Sequence, residues 1–85
     1  MKHSKRACEL VRQIAKDGLN KGTYGHEDFK FKVYIVACSY ILGNEKYWIS
    51  TDIPDGKYYE VTYNADSEEF YVDCYVRISN TKFEE

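Results

Sequence analysis

The sequence predicts an α+β domain in which one N-terminal helix packs on a four-stranded antiparallel β-meander. Two observations carry this prediction. An apolar stripe with helical spacing lies near the start of the chain, and from Phe29 onward apolar and polar residues alternate with a period of two between short turns. The 85 residues suffice for one hydrophobic core but not for two. We therefore expect a single domain that spans residues 1–85.

The helix is predicted over residues 4–17. Its apolar positions follow the spacing i, i+3, i+4, i+7, i+8 of one helix face: Ala7, Leu10, Val11, Ile14 and Ala15. Ser4 suits an N-cap because its hydroxyl can accept a hydrogen bond from a free backbone N–H. Gly18 suits the position just after a helix, where glycine tolerates a left-handed backbone.

Four strands are predicted over residues 29–41, 45–52, 57–64 and 68–78. The turns between them are short and rich in turn-forming residues, as in the segment Pro54-Asp55-Gly56. Such turns join only antiparallel neighbours, which predicts a meander. The strands are expected to bury Phe31, Val33, Ile35, Ile49, Val61, Phe70, Val72 and Val76 against the helix stripe.

One helix is too narrow to cover both faces of such a sheet. The chain has nine tyrosines and one tryptophan, and many of them fall on the strand positions that would face away from the helix. Such residues are enriched in protein interfaces, although tyrosine also favours strands through its propensity alone. We predict a partner-binding surface made of Tyr34, Trp48, Tyr58, Glu60, Tyr71, Asp73 and Tyr75.

Charge is distributed unevenly along the chain. The formal net charge is −2, but residues 1–43 carry an excess of Lys and Arg whereas residues 44–85 carry an excess of Asp and Glu. An acidic patch is predicted at Asp66, Glu68 and Glu69, where the alternative is an ordinary solvated turn. The acidic balance, with Glu60 and Asp73 on the aromatic face, would repel phosphate, so we do not expect direct nucleic-acid binding.

No residue pattern typical of catalysis or of a cofactor site occurs. The glycines stand singly rather than in a phosphate-binding loop, and Cys8, Cys38 and Cys74 are too far apart for the close ligand pairs of a zinc site. Cys38 with His26 would need a third group to orient the imidazole. We therefore expect no enzyme activity, cofactor or metal, free thiols that are buried or partly buried, and a reducing compartment. No apolar run is long enough to span a membrane.

The segment from Val33 to Tyr75 resembles a known family. The most specific similarities are Ser50-Thr51, Asp55-Gly56, the run Tyr58–Asn64 and the spacing Tyr71-x-Asp73-x-Tyr75. They resemble an uncharacterised domain family of small proteins from phages and prophages of Gram-positive bacteria. This resemblance implies a phage protein that acts in the cytoplasm of the infected bacterial host, and it implies no catalytic residue.

Small phage proteins often act by binding and disabling a host protein. We therefore expect an inhibitor of a host enzyme, such as an anti-CRISPR or other anti-defence protein that occludes a nuclease sterically or by mimicking nucleic acid. The alternative is a homodimeric module that binds and sequesters a small molecule or nucleotide. That function needs a concave pocket with basic groups, whereas the sheet face offers only Lys32, Lys46 and Arg77.

Overall fold

The predicted α+β meander is confirmed by a computed structural model, which describes residues 1–21 and 30–85. The elements are α1 (Ser4–Lys21), β1 (Val33–Ile41), β2 (Asn44–Thr51), β3 (Lys57–Asn64) and β4 (Glu69–Val76). The strands form one sheet in the order β1-β2-β3-β4, and every neighbouring pair is antiparallel. The predicted start of the first strand at Phe29, and His26, lie outside the described residues, and β1 begins only at Val33.

Helix α1 begins at Ser4 as predicted, but its end and its N-cap residue differ from the prediction. It continues through Gly18 to Lys21, because a glycine inside a helix costs only about 1 kcal/mol and does not by itself end it. At the other end the Ala7 N–H donates to the His3 carbonyl at 2.9 Å, so His3 rather than Ser4 holds the N-cap position. The Ser4 hydroxyl donates instead to the Met1 carbonyl at 3.0 Å.

The buried face of α1 is narrower than the predicted stripe. Ala7, Val11 and Ala15 are buried, whereas Ile14 is 40% exposed and its placement in the core was wrong. Each residue turns the helix by about 100°, so Ile14 points about 60° around the helix axis from Val11, which is at the centre of the three buried residues. Cys8 and Leu10, which flank this line on opposite sides of the helix, are only partly buried.

The core lies between α1 and the two central strands. It consists of Ala7, Val11, Ala15, Tyr47, Ile49, Ile53, Tyr59 and Val61. The predicted residues Phe31, Val33, Ile35, Phe70 and Val72 pack against this core while only partly buried. Val76 was wrongly placed in the core, since it is 56% exposed at the end of the edge strand β4. Tyr47 and Tyr59 were not predicted as core residues, yet they occupy its centre.

A β-bulge at Val36 divides β1 into two halves. Ile35 pairs with Ile49 and Ala37 pairs with Trp48, so Val36 is an extra residue without its own partner in β2. The extra residue reverses the alternation, because side chains change face at every position. Ala37 therefore lies on the face away from the helix, and Cys38, opposite Tyr47, lies on the helix side.

Candidate functional site

The face of the sheet opposite α1, called the open face below, carries every residue of the predicted partner-binding surface. The strand registers arrange these side chains in rows across the sheet. One row contains Tyr34, Ser50, Tyr58 and Tyr75. The next row contains Trp48, Glu60 and Asp73, and the third contains Lys46, Thr62 and Tyr71. The two-residue alternation of side chains in β2, β3 and β4 thus predicted correctly that these positions lie on one face.

The tyrosines of the strands fall into two groups according to the face they occupy. On the open face Tyr34, Tyr58, Tyr71 and Tyr75 are between 41% and 51% exposed. On the helix side Tyr47 and Tyr59 are buried. Tyr40 is also on the helix side, at the end of β1, and is 66% exposed. Strand propensity explains both groups, and the open-face group is distinguished because its four half-exposed side chains share one face.

Tyr58 and Tyr75 form a flat aromatic pair on the open face. They are direct cross-strand partners, and their rings stack with centroids 5.1 Å apart and an interplanar angle of 16°. The negative charge of Glu60, together with partial desolvation and the nearby Asp73, raises the pKa of Tyr75 above its usual value. The hydroxyl therefore stays protonated and remains a hydrogen-bond donor at neutral pH.

The predicted acidic patch is split by the geometry of the β3–β4 hairpin. Asp66 and Glu68 belong to the exposed turn, where the Asn64 side-chain oxygen accepts hydrogen bonds from the Asp66 and Ser67 N–H groups. Glu69 is the first residue of β4 and lies on the open face. Its Oε2 accepts a hydrogen bond from the Tyr71 hydroxyl at 2.9 Å, which raises the Tyr71 pKa. Glu69 is thus continuous with the aromatic surface.

A groove runs along β2 on the open face, and no sequence pattern indicated it. Two depressions of about 350 and 460 Å³ share Ser50 and Tyr58. The first is apolar and is also lined by Val36, Ala37, Trp48 and Ile49. The second is polar and extends past Tyr34 to Arg77. We call both together the β2 groove. It forms because the small side chain of Ser50 stands between larger aromatic neighbours.

A second cluster, on the helix side, was also absent from the sequence-based prediction. Glu45 is buried, with 8% of its surface exposed, and its Oε2 lies 2.8 Å from Nδ1 of His3. The Tyr47 hydroxyl donates to the other carboxylate oxygen of Glu45. The His3 ring stacks on Tyr63 at a centroid distance of 3.8 Å. The alternation of Glu45 with Tyr47 and Ile49 was the signal that Glu45 faces inward.

This cluster anchors the start of the helix to the sheet. Burial raises the Glu45 pKa, but hydrogen bonds from Tyr47 and His3 outweigh it, so the pKa of this carboxyl is lowered overall. Burial and the hydrogen bond to Glu45 raise the Tyr47 pKa. The carboxylate is thus held ionised between two donors on β2 and on the residue before α1. Both carboxylate oxygens of Glu45 already have hydrogen-bond partners, so the role of this cluster is to pack the start of α1 against the sheet.

The three cysteines are unlinked, and two of them are more exposed than expected. Cys8 is half-buried, and its burial, opposed by the charge of Arg12, raises the pKa of its thiol. Cys38 and Cys74 are exposed, which corrects the expectation of buried thiols. They lie on the two edge strands, β1 and β4.

Within residues 1–21 and 30–85, no three His, Cys, Asp or Glu side chains are grouped so that they could hold a metal ion. In the same ranges, no helix combines the length and the hydrophobicity that crossing a bilayer requires.

Comparison with known proteins places the chain in a family without assigning an activity. The chain matches no curated protein and no solved structure. A family model matches residues 4–85, a range that includes α1 and all four strands. This match is longer than the Val33–Tyr75 resemblance and includes both the open face and the helix. The chain therefore belongs to DUF6275, a family of unknown function.

Proposed function

We propose that the protein is a non-catalytic binding module whose open face contacts a partner protein, and that this partner is a host enzyme which it inhibits. The observation that carries the proposal is the set of open-face tyrosines, each 41–51% exposed on the side that α1 leaves uncovered. Soluble monomers rarely expose contiguous aromatic patches of several hundred Å² without a binding role.

The arrangement of these tyrosines supports binding energetically. Interface energy usually concentrates in a few Tyr, Trp and Arg side chains near the centre of a patch. Tyr58 and Tyr75 are already stacked at 5.1 Å, so they lose little conformational freedom when a partner covers them. Their hydroxyl groups supply hydrogen bonds at the rim of the contact.

The charge of the open face favours a cationic partner surface. Glu60 and Asp73 share one row beside the tyrosines, and Glu69 lies two rows further along the same face. Asp66 and Glu68 extend this acidic region into the adjacent turn. The nucleic-acid channel of a nuclease is a surface of the required sign, and carboxylates can occupy the places of phosphates there. This complementarity supports a defence nuclease as the inhibited enzyme.

The biological setting of the proposal follows from the resemblance of Val33–Tyr75 to proteins of phages and prophages. We place the protein in the cytoplasm of an infected Gram-positive bacterium, where an anti-CRISPR or other anti-defence protein would meet its target. The family match adds neither an activity nor a source.

The alternative function, sequestration of a nucleotide by a homodimer, would use the β2 groove. Lys57 and Arg77 line it and could hold a phosphate. However, Glu60 and Asp73 lie in the adjacent row of the same face and would repel that phosphate. The electrostatics therefore favour a protein partner over a nucleotide.

Affinity capture tests the proposal. The tagged chain, a Tyr71→Ser/Tyr75→Ser variant and a Tyr40→Ser control are incubated with host lysate, and bound proteins are quantified by mass spectrometry. Tyr40 is 66% exposed but pairs with Glu45 on the helix side, so it controls for the loss of an exposed tyrosine.

We expect one host enzyme to be captured by the parent and by the control, with at least about 30-fold weaker binding to the double variant. The purified enzyme should lose activity when the parent protein is added. Equal capture by all three chains, or a captured enzyme whose activity does not change, would contradict the proposal.

A further inference from the structure

The two edges of the sheet differ in how well they are protected from further strand pairing. Edge strands expose unpaired N–H and C=O groups, and proteins often block them with bulges, prolines or lysines. The β1 edge is interrupted by the bulge at Val36. By contrast, β4 pairs with β3 without a break from Glu69 to Val76, and it contains neither proline nor lysine. Within residues 1–21 and 30–85 no further strand covers its outer edge, so this edge is open to pairing.

The free hydrogen-bonding groups of β4 belong to alternate residues. Just beyond the strand, the Arg77 N–H donates to the Gly56 carbonyl at 2.8 Å, so Arg77 directs its backbone N–H toward β3. These two residues continue the register in which Lys57 pairs with Val76. Hydrogen-bonded and non-hydrogen-bonded positions alternate along an antiparallel pair. The N–H and C=O groups that point away from β3 therefore belong to Phe70, Val72, Cys74 and Val76.

Several side chains at this edge are left in contact with water by the single chain. Cys74 is exposed and Val76 is 56% exposed, both on the helix side of the sheet. Ile78, which continues the same row in extended backbone, is 97% exposed. On the open face Arg77 is exposed, and it forms no ion pair within the described residues. A surface that buried the apolar side chains would gain free energy from removing them from water.

We propose that two copies of the protein pair through their β4 strands, antiparallel to each other, to form one eight-stranded sheet. The two-fold axis is perpendicular to the sheet and passes between Cys74 of one copy and Cys74 of the other. The outward-pointing backbone groups then bond across the axis. In this register Val72 lies opposite Val76 of the second copy, and Phe70 lies opposite Ile78, so the exposed apolar side chains of the edge meet apolar partners.

Two neighbouring registers are less favourable. An axis through Asp73 would set the two Asp73 carboxylates directly opposite each other, and like charges in that position destabilise a sheet. An axis through Val72 would set Val76 opposite Glu68 of the second copy, where no apolar contact forms. With the axis at Cys74 the two Asp73 residues are only diagonal neighbours, about 7–8 Å apart.

The open-face side chains of the edge are also complementary in this register. Arg77 lies opposite Tyr71 of the second copy, whose hydroxyl donates to Glu69 at 2.9 Å. The unpaired guanidinium therefore meets an aromatic ring and a carboxylate. Asp73 lies opposite Tyr75, whose raised pKa keeps its hydroxyl a donor. One segment supplies both sides of every contact, which is why we assign the edge to a second copy.

This inference goes beyond the proposed function and does not depend on it. Strands are added in the plane of the sheet, so both open faces stay uncovered and both helices lie on the opposite side. The proposed function is tested by capture of a host enzyme, and the dimer is tested by the mass of the purified chain alone. Either can therefore fail while the other stands.

The mass of the full chain in solution tests the proposal, measured under reducing conditions by sedimentation velocity between about 1 and 100 µM. Val76→Lys places a charge on the free edge of β4, a change that blocks strand pairing. Val36→Lys makes the same change on the other edge strand, β1, and is the matched control. Val36 and Val76 are 64% and 56% exposed, so neither change should prevent folding.

We expect the parent and the Val36→Lys control to form dimers of equal strength. The dissociation constant of the Val76→Lys dimer should be at least about tenfold higher, because the symmetry places the lysine in two contacts with Val72.

Oxidative cross-linking tests the register. The Cα atoms of a hydrogen-bonded antiparallel pair are about 5.5 Å apart, a distance that a disulfide spans. Diamide should therefore link two copies through Cys74, taking two electrons and two protons from the two thiols. Cys74→Ser should abolish the linked dimer on a non-reducing gel. Cys38→Ser is the control, since Cys38 is the exposed thiol of the other edge strand, and it should leave the linked dimer unchanged.

Three results would each overturn the proposal. A parent chain that stays monomeric over the whole concentration range would leave the β4 edge to solvent or to a strand of a foreign partner. Dimerisation of the Val76→Lys chain as strong as that of the Val36→Lys chain would place the contact away from β4. A parent dimer that is not linked through Cys74 would show that the two strands do not pair in this register.

Discussion

Glu60 and Asp73 face each other directly across β3 and β4 on the open face. Like charges opposite one another destabilise a sheet, so this pair lowers the stability of the isolated protein. Lys46 offsets part of the cost, with its Nζ 3.4 Å from Glu60 Oε2, whereas Asp73 has no ion pair within the described ranges. A cationic partner would convert this unfavourable arrangement into a favourable contact.

Replacing Asp73 by asparagine should stabilise the free protein. The change keeps the size of the side chain and removes the repulsion with Glu60, so we expect the free energy of unfolding to rise by about 0.2 to 1 kcal/mol. Urea denaturation of the parent and the variant at low salt measures the difference, which should shrink at high salt. An unchanged or lower stability at low salt would show that the two carboxylates do not repel each other appreciably.

The His3–Glu45 contact should control stability at acid pH. Because the folded-state pKa of Glu45 is lowered, its stabilising contribution is present above the unfolded pKa and is lost as the pH falls through the folded pKa. Glu45→Gln should therefore reduce the free energy of unfolding near neutral pH and reduce its decline below about pH 4.3. Urea unfolding at several pH values measures both effects.

A matched change at an exposed ion pair provides the control for Glu45. Glu9 pairs with Arg6 at 3.4 Å on the surface of α1, where both side chains are more than half exposed. Such pairs contribute little, so Glu9→Gln should leave the stability within about 0.5 kcal/mol of the parent. His3→Ala, which leaves the Glu45 carboxylate buried with one donor fewer, should cost about 1 to 3 kcal/mol. If Glu9→Gln and His3→Ala lowered the free energy of unfolding by the same small amount, the buried cluster would not anchor the helix.

The three thiols should react at different rates. Cys38 and Cys74 are exposed, whereas Cys8 is half-buried with a raised pKa, which lowers its thiolate fraction at neutral pH. A short treatment with iodoacetamide at about pH 7.5, followed by peptide mass mapping, should label the first two cysteines well before Cys8. Labelling of Cys8 at the rate of the other two would mean that α1 separates readily from the sheet.

Much of the fold was predictable because hydrophobic periodicity is a local property. Apolar residues recur with a 3.6-residue period before Gly18 and with a two-residue period in the later segments. These two periods were enough to predict one helix, four strands and the antiparallel order of the strands. They also placed Tyr58, Tyr71 and Tyr75 on one face, since alternation within a strand needs no knowledge of its neighbours.

The features that were not predictable depend on contacts between distant segments. The bulge at Val36 exists only in the pairing of β1 with β2, so it could not be read from β1 alone. The burial of Tyr47 depends on an acceptor for its hydroxyl, the Glu45 carboxylate, and that carboxylate in turn depends on His3, 42 positions away. The β2 groove likewise arises from three adjacent strands.

Side-chain footprinting of the protein in complex with its captured partner tests the central claim most directly. Hydroxyl radicals oxidise exposed tyrosines, and mass spectrometry reads each site without any substitution. The account predicts that the partner protects Tyr58, Tyr71 and Tyr75 while the oxidation of Tyr40, on the opposite face, stays unchanged. Protection of Tyr40 with unchanged oxidation of the three open-face tyrosines would contradict the assignment of the open face as the binding surface.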